Sequence, residues 1–246
     1  MMMLRRLKTI TSAFAVLLVP LGAIWLSVGT TPRVQFSVDD RLIEFGASAR
    51  NRMLPHFLRA GVPYPPARLV LLGLKEERQI QIYAPDHGGT LRFVRSMRVI
   101  AAAGGPGPKL REGDRQVPEG VYPIRYLNPN SAAYVSLMIG YPNAFDKARA
   151  LKDGRKRLGG DIVIHGPTAG TAGCLALSED SVEEVFTLVA DTGVGRTRMI
   201  LAPHDLRRRK PPPAVAGSEW TNALYARLSG DLAKLPAPAY MPRAER

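Results

Sequence analysis

The chain has 246 residues, of which 46% are hydrophobic and 22% charged; this ordinary globular usage excludes a disordered chain, a fibre or a polytopic membrane protein. Its 23 glycines and 21 prolines point to many turns and some linker rather than helical bundles. A formal net charge of +13 draws the protein towards anionic polymers: nucleic acid, acidic lipid or an anionic cell-wall lattice. Apart from Arg207-Arg208-Arg209-Lys210 the basic residues are scattered, and no aromatic-interleaved Gly-rich motif accompanies them, so nucleic acid is not expected as a partner.

Arg5, Arg6 and Lys8 precede an uncharged stretch from Thr9 to Gly29, the positive-then-apolar order of an export signal. At about 20 residues this stretch exceeds the usual cleaved signal and is long enough to span a bilayer. Residues 1–30 are therefore expected to be a signal peptide, with a poor cleavage site at Ser27-Val28-Gly29, or an N-terminal anchor in the inner membrane. Either outcome places residue 33 onward outside the cytoplasm. Cys174 is the only cysteine, so an internal disulfide is impossible and the thiol is either a small buried hydrophobe or a functional group.

From Val38 to Ala60 the apolar residues Leu42, Ile43, Phe45, Met53, Leu54, Phe57 and Leu58 make a loose helical pattern, ended by Gly61 and Pro63. Residues 31–65 read as a helical lead-in. Leu69-Val70-Leu71-Leu72, a polar break at Lys75-Glu76-Glu77, then Ile80 and Ile82 alternating with Gln79 and Gln81 predict a hairpin. A third strand carries Leu91, Phe93, Met97 and Val99 and stops at the Gly104–Pro108 cluster; another runs from Pro118 through Val121, Tyr122 and Ile124. Asn128-Pro129-Asn130 reads as a turn, Val135–Ile139 as a short strand, Asn143–Leu151 as a helical turn and Asp161–His165 as a buried strand. Ser178 is a candidate N-cap for a helix whose face is Val182, Val185, Phe186 and Val189, ending near Gly193; Arg198–Ala202 closes the strand set. From Pro203 the composition becomes that of a basic, Pro-rich tail over 204–246, with a short amphipathic helix from Glu219 to Leu228. The expected architecture is mainly β, a β-rich α+β domain over residues 66–203 with one firm helix.

The chemistry concentrates where a strand ends in His165-Gly166 and a loop leads to Gly173-Cys174, nine residues after the histidine. That separation lets the imidazole fold back onto the thiol as a base, predicting a reactive thiolate of low pKa. Gly173 permits a tight turn in which the Gly173 and Cys174 N–H groups face a developing oxyanion. The alternative is a strand-end histidine bonded to backbone and a buried structural cysteine. No other His, Cys or acidic pair nearby has ligand spacing, so neither metal nor cofactor is expected. His56, His87 and His204 read as surface or turn residues.

Several ordered blocks resemble the YkuD-type L,D-transpeptidase catalytic domain, in its YafK-like murein branch, over about residues 66–203. They are Pro108–Asp114, Pro118–Tyr122, Asn128–Ser131, Gly140–Asn143 with Asp146, Ile164–Gly166 and Gly173–Ala176. The resemblance implies a small β-sandwich with Cys174 as nucleophile at the mouth of a groove, His165 as base, the Gly166 carbonyl orienting the imidazole and Gly173 at the oxyanion site. It further implies substrate contacts from Tyr141, Asn143 and Asp146. Its chemistry would be attack on the carbonyl at the L-centre of meso-diaminopimelate in peptidoglycan stem peptides, through a thioester, in the periplasm. A wall-linked protein is a further implied partner, and the membrane another if residues 1–30 stay attached. The broader family has histidine where this chain has Ala172 and Arg or Asn where it has Ala176, departures shared by the YafK-like branch. They leave open hydrolysis by an L,D-endopeptidase or amidase and a catalytically lapsed wall-binding module; the basic tail leaves open a membrane-tethered adaptor.

Overall fold

The computed structural model describes residues 35–168, 170–214 and 218–238, so the expected export segment lies outside the described residues. Among the described residues no helix is long and apolar enough to cross a membrane. The fold is a β-rich α+β arrangement. Its strands are β1 (Leu69–Leu74), β2 (Gln79–Pro85), β3 (Leu91–Arg98), β4 (Ala101–Ala102), β5 (Gly120–Ser131), β6 (Tyr134–Ile139), β7 (Val163–His165), β8 (Leu175–Ala176) and β9 (Thr197–Ala202). They form one mixed nine-stranded order, β3-β2-β1-β9-β5-β6-β7-β8-β4. In place of two separate sandwich sheets, β5 is shared: Gly120–Pro123 pair with β9, whereas residues from Ile124 onward pair with β6.

The predicted β1–β2 hairpin forms, with Leu74 opposite Gln79, and β1 also pairs in parallel with the distant β9. Every residue of β1 is buried. Leu69 and Leu71 belong to the main core, while Val70, Leu72 and Leu74 belong to a second core on the other face. Burial on both faces is why this segment reads as an unbroken apolar run instead of an alternation. The Asn128-Pro129-Asn130 stretch, expected as a turn, lies inside β5. Its ladder with β6 is irregular there, and its other polar groups are met by the N-terminal segment: Arg41 Nε donates to the Pro129 carbonyl at 2.9 Å, and the Asn130 amide bonds both the N–H and the carbonyl of Phe36.

The expectation of one firm helix is corrected. α1 (Val38–Arg41) continues through a π-helical segment (Leu42–Gly46) into α2 (Ala47–Ala60), and α3 (Ala144–Lys152), α4 (Glu179–Thr192) and α5 (Trp220–Leu232) follow. α4 is the helix predicted after Cys174, with Ser178 as its N-cap. The lead-in is part of the domain: Phe45, Met53 and Phe57 enter the main core, and Arg50 grips Asp191 of α4 with two hydrogen bonds of 2.7 and 2.8 Å. Arg52 binds Glu183 and Glu184 of α4 in the same way, and Arg95 of β3 also reaches Glu184. These fork-like pairs explain part of the arginine surplus as internal fastening.

The tail beyond residue 203 likewise packs. α5 covers the second face of β1, β2 and β9 through Leu224, Tyr225, Leu228 and Leu232. Arg207, the first residue of the basic run in the tail, is held by Asp205, Gln81 and the Tyr83 hydroxyl. His204 is buried, with Nε2 against the Lys210 carbonyl, rather than at the surface. Sequence composition misses this because α5 gains an apolar partner only from strands distant in the chain, β1 and β2 above all. Leu228 is fully buried, so Leu228→Ala should cost about 2–5 kcal/mol in chemical denaturation. A chain ending at residue 210 should lose cooperative thermal unfolding; retention of a wild-type transition would show that α5 is dispensable.

Candidate active site

His165 ends β7 and Cys174 immediately precedes β8, and the two strands pair directly and in parallel, Ile164 opposite Leu175 and His165 opposite Ala176. The apolar residues Ile164 and Leu175 are pinned in the main core. Packing of these short strands therefore sets His165 and Cys174 on neighbouring strands, with Cys174 level with Val163, two positions before His165. The ladder is closed by the Leu177 N–H donating to the His165 carbonyl at 2.9 Å.

The histidine is buried, and its Nδ1 lies 2.7 Å from the Gly166 carbonyl. A carbonyl only accepts, so Nδ1 carries the proton and Nε2 keeps its lone pair. Gly166 must be glycine, because a Cβ there would lie 2.6 Å from the Ala133 carbonyl oxygen, which also accepts the Gly166 N–H at 3.1 Å. Burial lowers the His165 pKa, opposed by the Gly166 carbonyl, and the imidazole is neutral at pH 7.

The Cys174 sulfur is part-exposed and rests among backbone groups: the Val163 N–H donates to it at 3.5 Å and its S–H donates to the Asp161 carbonyl at 3.4 Å. Its polar contacts do not include the imidazole. Burial raises the thiol pKa above its ordinary value, with Asp161 adding to the rise; the Val163 N–H and Lys109 pull the other way. The direction of this shift runs against the low-pKa thiolate expected from the spacing of His165 and Cys174. The approach to Cys174 is fixed by the Thr171 hydroxyl, which donates to the Cys174 carbonyl at 2.8 Å. Gly173 has φ of +110°, and a Cβ would meet the Gln116 carbonyl oxygen at 2.7 Å, so this turn also requires glycine. Among the described residues no backbone or side-chain acceptor meets the Gly173 or the Cys174 N–H.

Gln116 also lines a cleft of about 470 Å³ whose wall includes Gly107, Pro108, Leu110, Arg111 and Arg155. Asp114 shapes this wall by accepting the N–H groups of Leu110, Arg111 and Gln116 and the Lys109 ammonium. The sequence alone suggests no individual role for these residues, although Pro108–Asp114 stands out as a block; its glycine and acids signal a built loop but not what the loop faces. Among the described residues no cluster of His, Cys, Asp and Glu could hold a metal ion.

The three residues expected to touch substrate turn inward. Tyr141 is buried with its hydroxyl donating to the Lys109 and Leu158 carbonyls, both at 3.3 Å. Asn143 caps α3 and, with Asp146, forms a reciprocal capping box. The Asn143 amide also donates to the Val121 carbonyl, and the Tyr122 hydroxyl approaches Asp146. Asn143 and Asp146 thus help to hold α3 on β5, while Tyr141 ties the loops that carry Lys109 and Leu158.

The sequence model for the YkuD L,D-transpeptidase catalytic domain matches residues 71–201, more than half of the chain, and the chain belongs to that family. It is 34% identical over 117 residues to YafK of Escherichia coli K12, a candidate L,D-transpeptidase; the match covers 47% of this chain and 44% of YafK, so the shared region spans under half of that relative. Among solved structures, the helical cell shape determining protein Pgp2 of Campylobacter jejuni is 24% identical with a TM-score of 0.46, covering 56% of this chain and 48% of Pgp2. Bd1075 of Bdellovibrio bacteriovorus is 17% identical with a TM-score of 0.43, covering 71% and 58% of the two chains.

Two outcomes follow from these environments. With the thiol pKa raised by burial, alkylation of Cys174 should be slow at pH 7 and climb as pH passes the ordinary thiol value of about 8.5. A rate already at its plateau by pH 6 would reveal a preformed thiolate. Burial also raises the Asp146 carboxyl to about 6, so folding favours its neutral form: that contribution is complete below about pH 4 and is lost as pH rises through 6. Asp146→Asn keeps an acceptor for the cap and does not titrate. Its stability relative to wild type should therefore improve between pH 4 and 7 by roughly 2–3 kcal/mol in denaturant titrations, each tenfold change in proton affinity being worth about 1.4 kcal/mol.

Proposed function

We propose that the protein is a cysteine-dependent murein L,D-transpeptidase that acts at the L-centre of meso-diaminopimelate in peptidoglycan stem peptides. The observation that carries this reading is the strand-fixed His165, its Nδ1 held by Gly166, on the strand next to the Gly173-Cys174 turn within a family domain. In the first half-reaction the thiol passes its proton to His165 Nε2 and the sulfur forms a bond to the substrate carbonyl carbon. The oxyanion so formed lies against the Gly173 and Cys174 N–H groups. The C–N bond then breaks, the imidazolium gives its proton to the departing amine, and a thioester remains.

In the second half-reaction His165 Nε2 takes a proton from an acceptor amine, which forms the new amide as the sulfur leaves and is reprotonated. The acceptor amine belongs to a second stem peptide or a wall-linked protein. Export directed by residues 1–30 would deliver the domain to the periplasm, where this substrate lies. If water takes the place of the amine, the same thioester gives an L,D-endopeptidase, and the products separate the two.

Cys174→Ala should abolish turnover of purified muropeptides, followed by chromatography of the products. His165→Ala should slow it by about 100-fold to 10,000-fold, the usual worth of a positioned base, without loss of cooperative unfolding. The double variant should be little worse than Cys174→Ala alone, because the pair acts as a unit. Unchanged turnover in Cys174→Ala would end this reading.

A further inference from the structure

Behind the cleft lies a buried charge pair with no part in the chemistry above. Lys75 follows β1 directly, and its side chain is 5% exposed; Glu119, just before β5, is fully buried. The Lys75 ammonium donates to Glu119 Oε1 at 3.0 Å, to the Gly107 carbonyl at 2.7 Å and to the Val117 carbonyl at 2.9 Å. A longer contact of 3.4 Å reaches Gln116 Oε1, which also accepts the Gly105 N–H. Glu119 Oε1 in turn accepts the Gly107 N–H at 2.9 Å. One ammonium thus ties together both ends of the Gly105–Val117 loop.

That loop is the cleft wall, and its Gln116 carbonyl is the group against which Gly173 is seated. An ion pair this deep is weak support for stability, since desolvation offsets most of its attraction, and burial indeed pulls the Lys75 pKa down. Its geometry serves a different end. Four acceptors from one short stretch of chain converge on a single cation whose own strand is locked between β2 and β9.

The other carboxylate oxygen of Glu119 accepts the Tyr225 hydroxyl of α5 at 2.9 Å. α5 touches the cleft by a second route as well. Trp220 packs edge-on against Phe145 with ring centroids 5.8 Å apart, and the Arg155 guanidinium lies 5.9 Å from the Trp220 ring. Arg155 lines the cleft and donates to the Leu110 carbonyl at 2.8 Å.

We propose that Lys75, through Glu119, is a positioning residue for the Gly173-Cys174 turn and its cleft, and that Tyr225 makes helix α5 part of the same support. This rests on the reading of Cys174 as the nucleophile. Loosening the loop withdraws the Gln116 carbonyl from Gly173. Two effects follow that move in opposite directions: substrate is held less well, and the sulfur, less buried, loses part of the rise in its pKa.

The test pairs Lys75→Met with Glu119→Gln, so that no charge is left buried alone and the new side-chain amide still offers an acceptor to the Gly107 N–H and a partner to Tyr225. Muropeptide turnover and iodoacetamide alkylation of Cys174 at pH 7.5 are measured on the full chain well below its melting temperature. Expected are a fall in kcat/KM of about 10-fold to 100-fold, the scale of a small misplacement of reacting groups, and an alkylation rate raised about threefold or more. Tyr225→Phe, which removes a single hydroxyl, should move both readouts the same way by a smaller factor and decides the matter if the double variant does not fold. A folded variant whose alkylation rate equals that of wild type overturns the proposal, whatever its turnover. If wild type itself turns over no muropeptide, the murein reading fails, and the alkylation shift alone still judges the positioning role.

Discussion

The active-site geometry hangs on the parallel pairing of two very short strands, three residues of β7 against two of β8. Strands of this length cannot hold a register by their own hydrogen bonds. The register is imposed by Ile164 and Leu175, both buried in the main core, and by α4, whose Ser178 cap begins two residues beyond β8. A slip of one residue would turn Ile164 out of the core, at a cost of several kcal/mol, and with it displace His165 from Cys174. Core packing is therefore what sets the catalytic spacing.

The same economy governs the glycines. Gly166 and Gly173 stand where a side chain would strike a carbonyl oxygen, of Ala133 and Gln116 respectively. One brings the backbone close enough for its carbonyl to orient the imidazole; the other frees N–H groups beside the sulfur. Partial burial raises the pKa of the Cys174 thiol and burial lowers that of the His165 imidazole, so both shifts favour the neutral forms. The nearby cleft wall is held from behind by Lys75, Glu119 and α5.

Much of this is legible in sequence because the signals are local. Alternating apolar residues announce the β1–β2 hairpin and β3, Ser178 announces α4, and the order of Gly-containing blocks announces the family. What is illegible depends on long-range partners. α5 looks like part of a proline-rich tail because its apolar face is matched only by β1, β2 and β9. The arginines read only as a basic surplus drawn to anionic polymers, because Arg50, Arg52 and Arg207 find their partners far along the chain or across a sheet. Asn143 and Asp146 also cap α3, a structural role that motif order cannot tell from a substrate contact. The thiol pKa is misread from sequence alone because proximity to histidine is visible in spacing while burial is not.

The central claim is that Cys174 becomes covalently acylated by a stem peptide, and intact-protein mass spectrometry reads this directly. On incubation with a purified muropeptide carrying meso-diaminopimelate, the wild-type mass should increase by that of the acyl fragment. The adduct should map to Cys174, be released by hydroxylamine as a thioester and be absent from Cys174→Ala. A wild-type protein that turns over muropeptide without a hydroxylamine-sensitive adduct at Cys174, or a Cys174→Ala protein that acquires the same adduct, would contradict the account.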